Sequence, residues 1–194
     1  MTIRESLSFL AGFVRQPSKV GAVAASSPAL VQVMVDWFEW TSAKGIVEYG
    51  PGTGVFTEAI LRSMHPEARF FAIEQSEQMV RATKQRCPNA TVYHGSAVDV
   101  ADYCQKQNLS QVDAIICGLP WASFSGSLQD QLMTEMLQVL RPGGQFATFA
   151  YLQGLLLPAG RRFAGKLQQS FASVEKSEVV WRNLPPALVY RCRV

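Results

Sequence analysis

The chain has 194 residues, 48% of them hydrophobic and 17% charged, proportions that describe one ordinary folded domain and exclude a disordered or fibrous protein. The formal net charge is +3, unevenly placed: residues 161 to 194 carry +5 and the remainder −2, so a contact with phosphate, on lipid or on nucleic acid, is expected toward the C-terminal end. Four widely spaced cysteines, Cys87, Cys104, Cys117 and Cys192, form no C-x-x-C pair, which argues against a disulfide framework or a zinc site and fits a reducing setting with no metal.

The first residues, Met-Thr-Ile-Arg-Glu-Ser, do not read as a signal peptide, and export is not expected. Ile3, Leu7, Leu10 and Val14 follow helical spacing, with Phe9 and Phe13 widening the apolar stripe and Arg4, Glu5, Ser8 and Arg15 opposite it; Pro17 ends this helix. A second helix starts at Ser27-Pro28, a capping serine followed by proline at the first helical position, and is predicted to run to about Trp40. Short β-branched or aromatic runs then alternate with helical patterns. Strands are predicted near residues 44–49, 69–74, 90–94, 112–118 and 145–151, and helices near 54–64, 76–86, 99–108 and 126–140, an alternation that points to βαβ units around a parallel sheet. The uncharged stretch from Arg141 to Arg161 is broken by Pro142, Gly143, Gly144, Gly154 and Pro158 and reads as a turn, a strand and a loop, not as a membrane span. Two last strand-like runs, 173–181 and 187–193, flank Arg182-Asn183-Leu184-Pro185-Pro186 and predict a closing antiparallel pair.

The segment Val47-Glu48-Tyr49-Gly50-Pro51-Gly52-Thr53-Gly54 takes a strand end into a glycine-rich turn and then a helix. Glycines there let backbone approach a ligand closely. A G-x-G-x-G turn also occurs in dinucleotide sites, but Glu48 in front of it would repel pyrophosphate and suit a cation, and Glu74, at the predicted end of the second strand, can accept both hydroxyls of a ribose. His94 and His65, the two histidines, read as surface or core residues rather than catalysts. The fourth strand runs into Gly118-Leu119-Pro120-Trp121, at the edge where open α/β sheets hold substrates.

Glu48-Tyr49-Gly50-Pro51-Gly52-Thr53-Gly54 together with Glu74 resembles the cofactor site of class I S-adenosylmethionine-dependent methyltransferases. The resemblance implies a Rossmann-like α/β fold, a seven-stranded, mostly parallel sheet with a C-terminal antiparallel hairpin. It also implies S-adenosylmethionine as cofactor, with Gly50, Gly52 and Gly54 under its amino-acid part, Glu48 at its ammonium end, Glu74 on its ribose, Ser96 and Ala97 beside its adenine, and Gly118 at the same edge. Further segments, Phe9 to Phe13, Pro17 to Val23 with Ser26-Ser27-Pro28, Gly118 to Trp121, and Asn183 to Ala187 leading into Tyr190-Arg191, are similar to those of bacterial peripheral-membrane phospholipid N-methyltransferases, which methylate phosphatidylethanolamine toward phosphatidylcholine.

That second resemblance implies one methyltransferase domain over residues 1–194. In it residues 1–40 act as lid and membrane-contact segment, through Leu7, Phe9, Leu10, Phe13, Arg15 and Lys19, and residues 41–194 are the Rossmann-like core. It further implies a cytoplasmic enzyme held peripherally at the inner face of the cell membrane, where each cation near anionic lipid contributes about 1 kcal/mol. Leu119, Pro120 and Trp121 are expected to form a carbonyl-lined slot with an indole wall for the acceptor amine, since an indole face attracts a desolvated ammonium by about 2 kcal/mol. Arg182, Tyr190 and Arg191 are the candidates for lipid phosphate, although strand alternation places Tyr190 and Arg191 on opposite faces. The acceptor of the amine proton stays open between a water, the Gly118 or Leu119 carbonyl, and Tyr190. An RNA adenine dimethyltransferase shares the loop and the Leu-Pro-aromatic run, but its first position is Asn or Asp where this chain has Gly118. An aminolipid such as ornithine lipid is the other acceptor considered, and a non-catalytic binding module the third reading.

Overall fold

The computed structural model describes residues 26–194. The amphipathic first helix and the membrane-contact residues Leu7, Phe9, Leu10, Phe13, Arg15 and Lys19 lie outside the described residues. The described chain forms α1 (Pro28–Val35), β1 (Gly45–Tyr49), α2 (Val55–Ser63), β2 (Arg69–Glu74), α3 (Glu77–Arg86), β3 (Val92–His94), α4 (Val100–Lys106), β4 (Val112–Cys117), α5 (Gly126–Val139), β5 (Leu140–Tyr151), α6 (Leu152–Leu155), α7 (Pro158–Ser170), β6 (Ser173–Lys176) and β7 (Ala187–Arg193). The strands make one seven-stranded sheet in the order β3-β2-β1-β4-β5-β7-β6. The first five are parallel and β7 runs antiparallel to both of its neighbours, as the sequence predicts.

Helices cover both faces, and this is why β1, at the centre, can bury all five of its residues. Val47 and Tyr49 point into a cluster completed by Tyr103, Met133, Met136, Phe163 and Leu167 from α4, α5 and α7. Ile46 points the other way, into a cluster with Leu30, Met34, Phe56, Ile60 and Val80 from α1, α2 and α3. Glu48 shares that second face, a carboxylate amid aliphatic and aromatic side chains. Strand order reverses between β1 and β4, so a crevice opens where Tyr49 and Cys117 end their strands.

Four predictions differ from what is observed, the first being the turn expected after Arg141, which β5 takes in as the irregular stretch between its pairings at Leu140 and Gln145. α1 stops at Val35 and not near Trp40, because Trp37, Phe38 and Trp40 pack on one another at 5.3 and 5.1 Å and the Trp40 indole N–H donates to the Val35 carbonyl (2.9 Å) that a further helical turn would need. The loop expected after Tyr151 is instead α6 and α7. Pro158 stands at the helix start, where its missing N–H costs nothing, and Phe163 and Leu167, four residues apart, form the buried face. The strand expected over 173–181 is regular only to Lys176, with one bridge at Val180 opposite Ala187.

Candidate active site

The turn after β1 is shaped by its glycines. Gly50, Gly52 and Gly54 have φ of +66°, +59° and +81°, a region that strains any residue with a side chain. The loop is held from the side by α3: the Thr83 hydroxyl donates to the Gly52 carbonyl (2.9 Å) and Arg86 Nε donates to the Thr53 carbonyl (2.8 Å). A methyl placed on Gly52 would meet nothing within 4 Å, so the loop faces open space there.

Glu48 lies beneath this loop and is 1% exposed. Its Oε2 accepts a hydrogen bond from the Thr57 hydroxyl (2.6 Å), whereas Oε1 is buried with no partner. Burial pushes the carboxyl up to about 8, with Thr57 opposing the shift and Glu74 adding to it. An unpartnered buried acceptor is costly in a native protein unless something else satisfies it, and a cation would do so. Glu74, half-buried at the end of β2, accepts from the Gly52 N–H at Oε2 (3.2 Å) and from the Ser76 N–H at Oε1 (2.9 Å), which ties the second carboxylate to the glycine loop. Beyond β3, Ser96 caps a single turn over Ala97–Asp99, accepting from the Val98 N–H (3.4 Å), and Ala97 is packed in the core. His94 is exposed and pairs with the Gln75 carbonyl at 3.0 Å.

Across the crevice, the Gly118 N–H donates to the Tyr49 carbonyl at 2.7 Å. A Cβ on Gly118 would lie 2.5 Å from the Gly50 carbonyl oxygen, and one on Gly50 2.8 Å from Leu119 Cδ2, so the two loops touch with glycine required on both sides. An Asn or Asp at position 118 has no room in this arrangement.

The structure corrects two expectations. Trp121 is 3% exposed and stacks on Phe163, ring centres 4.2 Å apart, so its indole belongs to the core under the slot; Gly118, Leu119 and Pro120 remain the half-exposed part. Arg182, Tyr190 and Arg191 do not converge. Tyr190 is buried edge-on to Phe163, burial raising its phenol above the ordinary range and keeping it protonated, so it is a poor proton acceptor. Arg191, on the opposite face, donates from Nη2 to the Val33 carbonyl (2.8 Å) and ties β7 to α1. Arg182 is exposed between β6 and β7. All four cysteines are buried free thiols, with Cys104 pushed up to about 11 and Cys117 and Cys192 to about 12, so none of these three is a nucleophile near neutral pH. Among the described residues no His, Cys, Asp and Glu cluster suits a metal.

Thr57, Thr83 and Arg86 escaped sequence reasoning. Thr83 did leave a trace, a polar residue three positions after Val80 on the buried face of α3. Thr83→Val preserves shape and leaves the Gly52 carbonyl unpaired; the expected result is cofactor affinity about threefold to tenfold weaker with little change in fold, measured by titration calorimetry. Unchanged affinity would mean that the loop holds its form without α3.

A ligand with an ammonium at one end and a ribose further along suits this site: the orphan Glu48 oxygen would take the cation, the open space over Gly52 would admit it, and the Glu74 carboxylate would take the ribose. Comparison with known proteins agrees. Residues 46–144 match the methyltransferase domain family. The ornithine lipid N-methyltransferase of Singulisphaera acidiphila is 30% identical over 98% of this chain and 97% of its own length. Among solved structures, the precorrin-6y C5,15-methyltransferase of Geobacter metallireducens superposes with a TM-score of 0.68 (15% identity, 90% of this chain and 96% of that one). The O-methyltransferase TomG of Streptomyces achromogenes, solved in complex with S-adenosylmethionine, gives 0.66 (19% identity, 97% and 89%). At these identities the two structures show the shared fold alone.

Proposed function

We propose that this chain, which belongs to the class I S-adenosylmethionine-dependent methyltransferases, methylates the amine of a membrane aminolipid. The observation that carries the reading is its likeness, along nearly the whole of both chains, to a relative named for ornithine lipid N-methylation. Ornithine lipid is therefore the first acceptor to try. Phosphatidylethanolamine is the second, supported by the likeness of the Gly118-Leu119-Pro120-Trp121 and Asn183-Leu184-Pro185-Pro186 segments to phospholipid N-methyltransferases. Gly118, pressed on the Gly50 carbonyl, argues against an adenine acceptor, because it supplies neither amide nor carboxylate to an exocyclic amine.

S-adenosylmethionine supplies an electrophilic methyl group on a sulfonium sulfur. The chain's part is to hold and orient. Glu48, buried with Oε1 unpartnered, would hold the cofactor's ammonium where a charge pair is weakly screened, and Glu74 would hold the ribose hydroxyls. The Gly118 carbonyl, and with it the Leu119 carbonyl that already accepts from the Trp121 N–H (3.0 Å), would accept from the amine N–H groups and so line up the lone pair with the methyl, a placement effect that can supply several kcal/mol of barrier lowering. The amine must arrive neutral, and with Tyr190 held protonated its proton would leave through water, since a Gly118 or Leu119 carbonyl can accept a hydrogen bond from the amine but is too weak a base to take its proton. No covalent intermediate on the chain is needed.

The test is transfer of labelled methyl from S-adenosylmethionine into vesicles of ornithine lipid or of phosphatidylethanolamine, with unmodified ribosomal RNA in parallel, products separated by chromatography. Methylated lipid is the expected result. Label in RNA alone, or in none of the three, overturns the aminolipid reading.

A further inference from the structure

Three large apolar side chains stand out from the described surface: Leu156, Trp181 and Leu184, exposed by 70%, 72% and 80%. They occupy one end of the sheet. β5 ends at Tyr151 and passes into α6, with Leu156 just after it; Tyr151 pairs with Ala187, the first residue of the antiparallel β7, so the tip formed by residues 181–186 projects beyond the same end. The two segments meet where the Leu152 N–H donates to the Pro186 carbonyl at 3.0 Å. This is also the end at which β1 and β4 deliver Gly50 and Gly118, so the apolar group and the active-site crevice open on the same edge.

The tip is pinned from beneath. Buried Asn183 accepts from the Ser27 N–H (2.9 Å) at the head of α1 and donates to the Pro185 carbonyl (2.7 Å), which leaves Trp181 and Leu184 outside, on either side of it in sequence. Cations accompany them along the chain: Arg182 lies within the tip, and Arg161 and Arg162, near the start of α7, follow Leu156 by five and six residues, all exposed and none paired with a carboxylate among the described residues. Glu178 is the carboxylate nearest to the tip in sequence. Exposed tryptophan and leucine beside unpaired arginines match the two layers of an anionic bilayer surface, with acyl chains for the apolar groups and phosphates for the cations, and tryptophan in particular favours that boundary.

We propose that the β6–β7 tip, together with Leu156, is a docking surface for an anionic lipid bilayer, and that it sets the active-site edge against the plane from which a headgroup amine arrives. The purpose assigned to this docking rests on the aminolipid reading; the docking itself rests on the exposed tip and its charge. Membrane contact is thereby placed on the folded core, separately from anything residues 1–25 contribute.

The experiment compares the full chain with its Trp181→Ala/Leu184→Ala variant by co-sedimentation with vesicles of phosphatidylcholine containing phosphatidylglycerol, and with phosphatidylcholine alone. Binding to the anionic vesicles is expected to fall about tenfold or more in the variant. Thermal unfolding, cofactor affinity and methyl transfer to aminolipid dispersed in detergent micelles are expected to stay unchanged, while transfer to the same lipid in vesicles falls with binding. Undiminished binding to anionic vesicles overturns the proposal. So does a shift from dimer to monomer on substitution without loss of vesicle binding, which would assign the patch to a second copy of the chain. If the unsubstituted chain transfers nothing to micellar aminolipid, the aminolipid reading fails by itself, and the vesicle comparison still decides the docking.

Discussion

Glu48→Gln is expected to weaken S-adenosylmethionine binding about hundredfold, and to make the cofactor-free protein more stable at pH 8 than the unsubstituted chain. Both effects come from one atom. Glu48 Oε1 is buried without a partner, and the carboxyl is pushed up to about 8 by desolvation. A glutamine keeps an oxygen for the Thr57 hydroxyl but places an amide N–H₂ where the ammonium would sit, replacing attraction by repulsion between donors. It also removes a carboxylate that the folded chain can ionise only at cost. Loss of affinity with gain of stability is the signature of a residue kept for binding; a purely structural role would lower both.

The pH dependence follows with a definite sign. The folded protein holds the Glu48 proton up to about pH 8, whereas an ordinary glutamate releases it near 4.5. Between those values the unfolded chain sheds a proton that the folded chain keeps, so Glu48's contribution to stability declines as pH rises through this window and levels off above 8. The stability difference from Glu48→Gln should thus be small near pH 4.5 and largest above 8, each 1 kcal/mol raising the melting temperature by about 2–4 °C in a chain of this size. Cofactor affinity should move the opposite way. An α-amino group stays charged up to about pH 8, so affinity of the unsubstituted protein should rise from pH 6 to 8 as Glu48 ionises, and that of the glutamine variant should stay flat. Calorimetry at three pH values checks both trends, and a flat profile in the unsubstituted protein would remove Glu48 from the cation's site.

Glu48 also shows how much the sequence discloses. An acid directly before Tyr49-Gly50-Pro51-Gly52-Thr53-Gly54 is legible because it breaks the apolar run of a central strand, and the five parallel strands are legible because hydrophobic runs and turn residues alternate along one stretch of chain. What could not be read depends on partners far away in sequence. Thr83 reaches the glycine loop from 31 residues on, a spacing that no local pattern marks. Trp121 reads as a wall of the slot until Phe163, on a helix hidden behind Gly154 and Pro158, covers its face. Tyr190 and Arg191 obey strand alternation, but whether a face meets substrate or α1 is decided by which elements dock there.

Gly118→Ala is the second large effect. The added methyl would sit 2.5 Å from the Gly50 carbonyl oxygen, well inside contact distance, and neither backbone can yield alone: the Gly118 N–H is bonded to the Tyr49 carbonyl, and the Gly50 N–H donates to the Ile73 carbonyl at 2.9 Å. The two loops must part, carrying the loop proposed to floor the cofactor away from the carbonyls proposed to line up the amine. A displacement of this order at a group-transfer site costs about hundredfold in rate, so methyl transfer is expected to fall by that factor while β1 and β4 stay paired and the protein stays folded. Circular dichroism and thermal unfolding establish the second half of that statement. Gly126→Ala serves as control, since a Cβ there meets nothing within 4 Å at the start of α5, and it should leave rate and affinity as they are. Gly118→Asn should behave like Gly118→Ala and gain no activity on adenine, because the side chain that would accept from an exocyclic amine cannot enter without displacing Gly50. If either substitution left transfer to the lipid amine intact, the close approach of the two loops would be no part of how the site excludes other acceptors, and the choice of an aliphatic amine over a nucleobase would have to be made elsewhere in the crevice.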